Sequence, residues 1–252
     1  MIAEAALSTA VAGSLLSRWE ARLKLPGLLI LIFSFAIVQD LRLLAPLIIT
    51  AALVYYLSGL PLSYLFSRLK LPGFFLLAIA IILPFWSGQS VLWQLGPLAL
   101  RLEGLLGLLL IATKFIGILT VAVALFATTP LAQVTVALRS LGIPWLLTDL
   151  LLFTYRYIFQ LARDLQRMRT AARLRGFVGG SLFSLKTLAH ITGSMLVRSH
   201  AQAERVFQAM ALRGYGNTSL PLPAFQPVLL DFLLLSIAVL LATGFVLGQY
   251  IF

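Results

Sequence analysis

The sequence predicts an all-α integral membrane protein with about five transmembrane helices and two long amphipathic cytoplasmic helices. Three observations point there. Of 252 residues, 61% are hydrophobic and 11% charged, against about 25% charged in soluble domains; mean hydropathy is +1.02. Apolar runs of about 20 residues, the length a bilayer crossing needs, recur along the chain. The basic residues behind the net charge of +11 gather in a few connecting segments, as cytoplasmic loops do.

The elements follow in order. Residues 1–17 lack a basic stretch and carry Glu4 where one is expected, so no cleavable signal peptide is expected. Residues 1–128 form an N-terminal membrane region with four spans, at about 26–39, 43–60, 72–94 and 104–128. The first is short. The third is interrupted by Pro84, and its end, "WSGQSVLWQLGP", suits the membrane interface through Trp86 and Trp93. Residues 129–227 are a basic cytoplasmic region, and residues 228–252 hold the last span, at about 228–250.

Orientation follows from Lys and Arg. Arg18, Arg22 and Lys24 precede the first span, Arg68 and Lys70 separate the second from the third, and eleven more lie in 129–227. With the amino terminus inside, these regions place 16 of the 19 basic residues in the cytoplasm. The positive-inside rule then puts the carboxyl terminus outside.

"RLKLPGLL" (22–29) and "RLKLPGFF" (68–75) repeat each other, and each opens a span with Pro26 or Pro72 suited to the first helical turn. Two readings stand: a duplicated helical hairpin, or the common look of any basic–Leu–Pro–Gly start to a span. Both place the two copies on the same membrane side.

Within 129–227, Pro130 starts a short helix that Gly142 and Pro144 stop. From Pro144 to Gly176 runs a long helical pattern with Ile158, Leu161, Leu165, Met168 and Ala172 on one stripe. Gly176, Gly179 and Gly180 end it. A second runs from Ser181 to Arg213, with Leu185, Leu188, Thr192, Met195, Ser199, Val206 and Met210 as its inner stripe. Each measures roughly 48 Å at 1.5 Å per residue. Arg163, Arg167, Arg169 and Arg173 on the first, and Arg198 and Arg205 on the second, make spanning prohibitively costly.

Both helices end on one phrase, "AARLRGF" (171–177) and "AMALRGY" (209–215). Arg175 and Arg213 precede Gly176 and Gly214 at the same offsets. Helix termini favour arginine through the macrodipole and glycine through the left-handed cap. Matched Ala, Leu and aromatic positions in two copies point beyond capping to a shared task. An arginine fork binds carboxylates bidentately, which suits docking into an acidic groove on a soluble partner.

These residues, with "ATTP", "ALRSLGIP", "TYRYIF" and "RSHAQAERVFQAMALRGYG", resemble the transmembrane (T) component of energy-coupling-factor (ECF) transporters, cobalt-uptake type. The similarity covers most of the chain and is densest from Ala127 onward. That family ends its cytoplasmic coupling helices in Ala–Arg–Gly or close to it. Leu174–Arg175–Gly176 and Leu212–Arg213–Gly214 match, with leucine in place of the usual alanine. The resemblance implies a non-enzymatic subunit in the bacterial or archaeal cell membrane. It implies two ATP-binding-cassette ATPase subunits, docked at Arg175, Gly176, Arg213 and Gly214, a separate substrate-binding (S) membrane subunit, and in the cobalt type a small auxiliary membrane subunit. Nickel or vitamin import by the same architecture is the alternative.

The inventory of residues points the same way. No GxxxxGK[ST] phosphate loop is present, so ATP hydrolysis by this chain is not expected. No cofactor or catalytic group is expected, and the absence of cysteine removes thiolate chemistry. A metal site is not expected either. The two histidines, His190 and His200, stand ten residues apart on one helix and share no ligand face. An intramembrane enzyme would need paired acids or a histidine in its spans, which offer Asp231 as the one clearly placed carboxylate. A polybasic protein binding anionic lipid or nucleic acid leaves the repeated helix end unexplained, and a transporter acting alone lacks an intramembrane site. Lys114, in the fourth span, either pairs with Asp231 or snorkels; Asp149 is expected to cap or anchor the first long helix.

Overall fold

The computed structural model describes residues 13–86, 91–95, 98–177, 182–216 and 227–251. In chain order these form α1 (Leu15–Arg18), α2 (Ala21–Ile37), a 3-10 turn (Leu41–Leu43), α3 (Leu44–Ser58), α4 (Leu62–Trp86), β1 (Val91–Leu95), β2 (Leu98–Arg101), α5 (Leu102–Thr128), α6 (Leu131–Ser140), α7 (Trp145–Leu174), α8 (Leu182–Leu212) and α9 (Leu229–Ile251). They divide into two compact units, 1–137 with 226–252, and 138–225.

The first unit is a helical bundle arranged around α2. Its buried residues Ala21, Lys24, Leu25, Leu28, Leu31 and Phe35 recur three or four apart and line one stripe. That stripe packs against α9 and α5, while α3 and α4 each pack on α5. Phe35 meets Phe245 edge-on, ring centroids 5.3 Å apart, and the Ser34 hydroxyl donates to the Ala242 carbonyl at 2.8 Å. The opposite face of α2 stays apolar and exposed, with Phe33 67% accessible. An apolar exterior of this kind is stable against lipid and costly against water.

Among the described residues, four helices are long and apolar enough to cross a membrane: Leu41–Ser58, Leu62–Leu83, Glu103–Thr128 and Leu229–Ile251. The fifth expected span, 26–39, falls on α2, whose 17 residues sit at the lower limit of about 17 for a crossing.

The third span differs most from expectation. Its helix begins ten residues earlier, at Leu62, and ends at Trp86 rather than 94. Val91–Leu95 and Leu98–Arg101 instead pair as an antiparallel hairpin, Gln94 opposite Ala99 and Leu95 opposite Leu98. Val91 and Trp93 belong to the residue types that favour strands, and Gly96–Pro97 between the strands is a turn signal. The all-α description thus gains one short hairpin. Pro26 and Pro72 do not open their helices: α2 starts at Ala21 and α4 at Leu62.

The second unit consists of the end of α6 with α7 and α8. Helix α7 starts after Pro144, as Pro144 predicts, and ends at Leu174; α8 ends at Leu212. Gly179, Gly180 and Ser181, read as the break between them, lie outside the described residues.

Candidate functional site

Helices α7 and α8 run antiparallel, because their contacts climb one helix as they descend the other. The Tyr215 hydroxyl, just past α8, donates to Asp149 Oδ2 at 2.9 Å. Farther along, Gln160 Nε2 donates to Gln202 Oε1 at 3.3 Å, and Ser194 Oγ donates to Met168 Sδ at 3.6 Å. Tyr215 also meets the Trp145 ring edge-on at 5.7 Å. Its phenol is pushed to a higher pKa, first by burial and then by the Asp149 bond and charge, with Arg139 opposing. Asp149 therefore anchors α7 as expected, through a tyrosine supplied by the second motif.

Each tip is closed by the same backbone device. Gly176 adopts φ +87 and Gly214 φ +79, a region open to glycine and costly for other residues. At the first, the Gly176 N–H donates to Arg173 O and the Phe177 N–H to Ala172 O, both at 3.0 Å. At the second, the Gly214 N–H donates to Ala211 O and the Tyr215 N–H to Met210 O, again at 3.0 Å. This is a Schellman cap, which satisfies carbonyls the helix end leaves free. The repeated phrase is thus a repeated fold of backbone. Glycine supplies the left-handed turn, the aromatic follows it, and arginine stands on the last helical step.

A third cap separates what the turn needs from what it does not. At the end of α6, Gly142 adopts φ +93, its N–H donates to Arg139 O, and the Ile143 N–H donates to Leu138 O, both at 3.2 Å. The position equivalent to Arg175 and Arg213 is Leu141. The cap needs glycine there and not arginine.

Both arginines are exposed. The leucines before them are among the most exposed large hydrophobic residues described, Leu174 at 85% and Leu212 at 90%. The antiparallel arrangement sends the tips to opposite ends of the pair. Arg213 lies level with the start of α7, so Arg175 stands about 39 Å away at 1.5 Å per residue from Asp149. The structure does not bring the two arginines together. Between the helices runs an apolar groove of about 430 Å³, lined by Leu146, Phe153, Tyr157, Val206, Phe207 and Tyr215 among others.

Other singled-out residues fall as follows. His190 and His200 are both exposed on α8, and among the described residues no group of three or more metal-binding side chains occurs. Asp231 does not meet Lys114. Its Oδ1 accepts the Glu20 N–H at 3.2 Å and its Oδ2 the Val228 N–H at 2.9 Å. One buried carboxylate thereby fastens the N-terminal ends of α2 and α9, where helix dipoles favour negative charge. The inner stripe of α8 also differs in its first half. Leu185 and Leu188 are exposed, while Thr187 and Ile191 face inward.

Sequence reasoning missed Lys24. It is 1% exposed, and its Nζ donates to Leu16 O at 2.8 Å and to Thr128 O at 3.1 Å. Both acceptors belong to helix ends, whose last carbonyls have no partner within the helix. No signal in the local sequence distinguishes this lysine from Lys70, which is exposed.

A family profile described as cobalt transport protein matches residues 12–221. The chain is 32% identical over 126 residues to the cobalt transport protein CbiQ of Rhodobacter capsulatus, covering 49% of this chain and 52% of that protein. It is 29% identical over 150 residues to the energy-coupling factor transporter transmembrane protein EcfT of Limosilactobacillus fermentum, covering 55% and 56%. A second EcfT, from Leuconostoc gelidum, is 24% identical over 151 residues, covering 56% of each chain. The chain spans about half the length of the curated relatives it matches.

Proposed function

We propose, since the chain belongs to the CbiQ family of cobalt transport proteins, that it is the energy-coupling transmembrane subunit of an ATP-driven cobalt importer. It is a multi-pass membrane protein. In this reading it hydrolyses nothing and holds no ion. Two cytoplasmic ATPase subunits supply motion, a separate membrane subunit binds the substrate, and a small auxiliary membrane subunit belongs to the cobalt-type assembly. Arg175 and Arg213, each with its following glycine, dock one ATPase subunit apiece.

One observation carries the docking assignment: three Schellman caps of like geometry, of which only the two at the ends of the long helices present arginine. Capping alone accounts for Gly142, Gly176 and Gly214. Among the described residues, neither the Arg175 nor the Arg213 side chain has a hydrogen-bond or ion-pair partner, and both are exposed. Their separation of about 39 Å along the helix pair favours two grooves rather than one. Each guanidinium offers a planar fork to a carboxylate, and the exposed leucine beside it offers an apolar contact.

The test compares Arg175→Ala, Arg213→Ala and the double variant with Arg169→Ala, which removes equal charge from the body of α7. Loss of one partner from a buried charged contact costs about 2–5 kcal/mol. Each tip variant should therefore lower ATPase recovery at least tenfold, abolish cobalt uptake in the double variant, and leave Arg169→Ala near wild type. Arg→Lys at either tip should also fail, because an ammonium does not reproduce the fork. A double variant indistinguishable from Arg169→Ala in both assays would reduce the motif to ordinary capping.

A further inference from the structure

The phrase Arg–Leu–Lys–Leu–Pro–Gly occurs twice in the membrane unit, and the structure shows one copy packed and the other bare. In the first, Lys24 is 1% exposed, Leu25 5% and Leu28 2%. In the second, Leu71 is 87% exposed, Phe74 77% and Phe75 64%, and Lys70 is exposed as well. The same contrast holds at the glycines. A Cβ built on Gly27 would lie 3.1 Å from Leu235 of α9 and 3.3 Å from Trp19, so Gly27 is where another helix comes close. A Cβ built on Gly73 would meet nothing within 4 Å among the described residues, its chain neighbours and its own helix backbone apart.

The packed copy shows what the phrase accommodates. Its glycine seats a side chain from a transmembrane helix, and its lysine takes the orphan carbonyl that ends another, Thr128 O on α5. A helix carboxyl end carries roughly half a negative charge, and the ammonium answers it. The bare copy offers the same glycine, the same lysine and a still larger apolar flank. It also has a debt that lipid tails do not meet. Arg68 and Lys70 fall inside the apolar stretch Leu62–Leu83 of α4, of which no residue is buried. Arg68 lies over the Tyr64 ring at 5.2 Å; Lys70 has no comparable contact among the described residues. Charged groups within an apolar spanning stretch ordinarily face a protein partner or water, or reach back along the helix to the interface.

We infer that the α4 face bearing Lys70, Leu71, Gly73 and Phe74 docks a transmembrane helix of a second membrane subunit, whose terminal carbonyls meet Lys70 and whose side chain seats on Gly73. A second copy of this chain is disfavoured as the occupant, because the helix surfaces that fill the first copy, on α9 and at the end of α5, are already engaged internally. Assigning the partner as the substrate-binding subunit rests on the function proposed above. The docking face itself rests on the contrast between the copies.

The experiment uses the complete complex, co-expressed with its ATPase subunits and an epitope-tagged substrate-binding membrane subunit and purified through this chain. Benzoylphenylalanine at Phe74 should cross-link to the tagged subunit on illumination. Gly73→Leu and Lys70→Gln should each lower recovery of that subunit at least tenfold while ATPase recovery stays unchanged. Gly73 has open space around it, so the larger side chain leaves the isolated chain folded. The matching change at the packed copy, Gly27→Leu, should lower the yield of folded chain itself. Adducts to lipid alone, adducts to a second copy of this chain, or unchanged recovery of the tagged subunit would each overturn the docking face. Failure of the ATPase reading shows elsewhere, as ATPase recovery indifferent to Arg175 and Arg213. A complex that never contains the tagged subunit overturns the partner assignment, and Phe74 cross-linking to no other membrane protein then overturns the docking face as well.

Discussion

A lysine buried to 1% exposure persists in an apolar bundle because its ammonium meets carbonyls that would otherwise be stranded. Lys24 gathers Leu16 O and Thr128 O from two helix ends, and Asp231 gathers two N–H groups from two helix beginnings. The pair of side chains closes helix termini that no backbone partner reaches. Replacing Lys24 by methionine keeps the volume and abandons both acceptors. A buried polar group left unsatisfied costs about 1–3 kcal/mol. The thermal unfolding midpoint of Lys24→Met in detergent, followed by tryptophan fluorescence, should accordingly fall by several degrees. Lys70→Met, at an exposed position, should leave it unchanged. Equal midpoints for the two variants would show that the Lys24 contacts contribute nothing.

At the scale of elements, the helix ends explain most about what a sequence can reveal. Gly142, Gly176 and Gly214 each sit at positive φ, where an alanine costs about 1–2 kcal/mol. Gly142→Ala, Gly176→Ala and Gly214→Ala should lower stability by similar amounts. Only the latter two should also reduce ATPase recovery, because there the turn aims an arginine. Loss of ATPase from Gly142→Ala to the same degree would mean that recovery follows stability alone. These ends were legible in advance because Pro144, Gly176 and Gly214 act on the backbone locally. The repeat of arginine before glycine was equally plain. The state of the two RLKLPG copies was not legible, since identical side chains at Lys24 and Lys70 meet opposite surroundings fixed by distant α5 and α9. The hairpin after Trp86 was missed for a related reason. "VLWQL" is apolar enough to extend a span, and only its pairing with Leu98–Arg101 makes it a strand. On α8 the expected stripe ran through Leu188 and Thr192, both exposed, whereas Thr187 and Ile191, each one residue earlier, face inward; a one-residue rotation of a helix with apolar residues on both faces leaves no mark in the sequence pattern.

For the whole molecule, orientation is the property that the charge distribution proposes: amino terminus and long helices inside, carboxyl terminus outside. The natural chain contains no cysteine, so single cysteines report without background. Tyr250→Cys, at an 84% exposed position, should react with an impermeant maleimide in sealed cells. Gln166→Cys on α7 should react only after permeabilisation. Labelling of Gln166→Cys in sealed cells would reverse the orientation and with it the side on which the proposed docking arginines lie.

In the docking proposed above, the antiparallel course of α7 and α8 makes the pair a strut held at its two ends. A continuous helix resists shortening, because every residue contributes a fixed rise. Two subunits that draw together while holding Arg175 and Arg213 cannot compress the strut between them. Their approach must appear as tilt or as a change in the angle at which the helices cross. The clasp of Tyr215 with Asp149 and Trp145 ties one end, whereas a 3.3 Å amide contact and a 3.6 Å sulfur contact join the rest. In that reading a push along the strut becomes a rotation, the loosely joined end travelling farther than the clasped one.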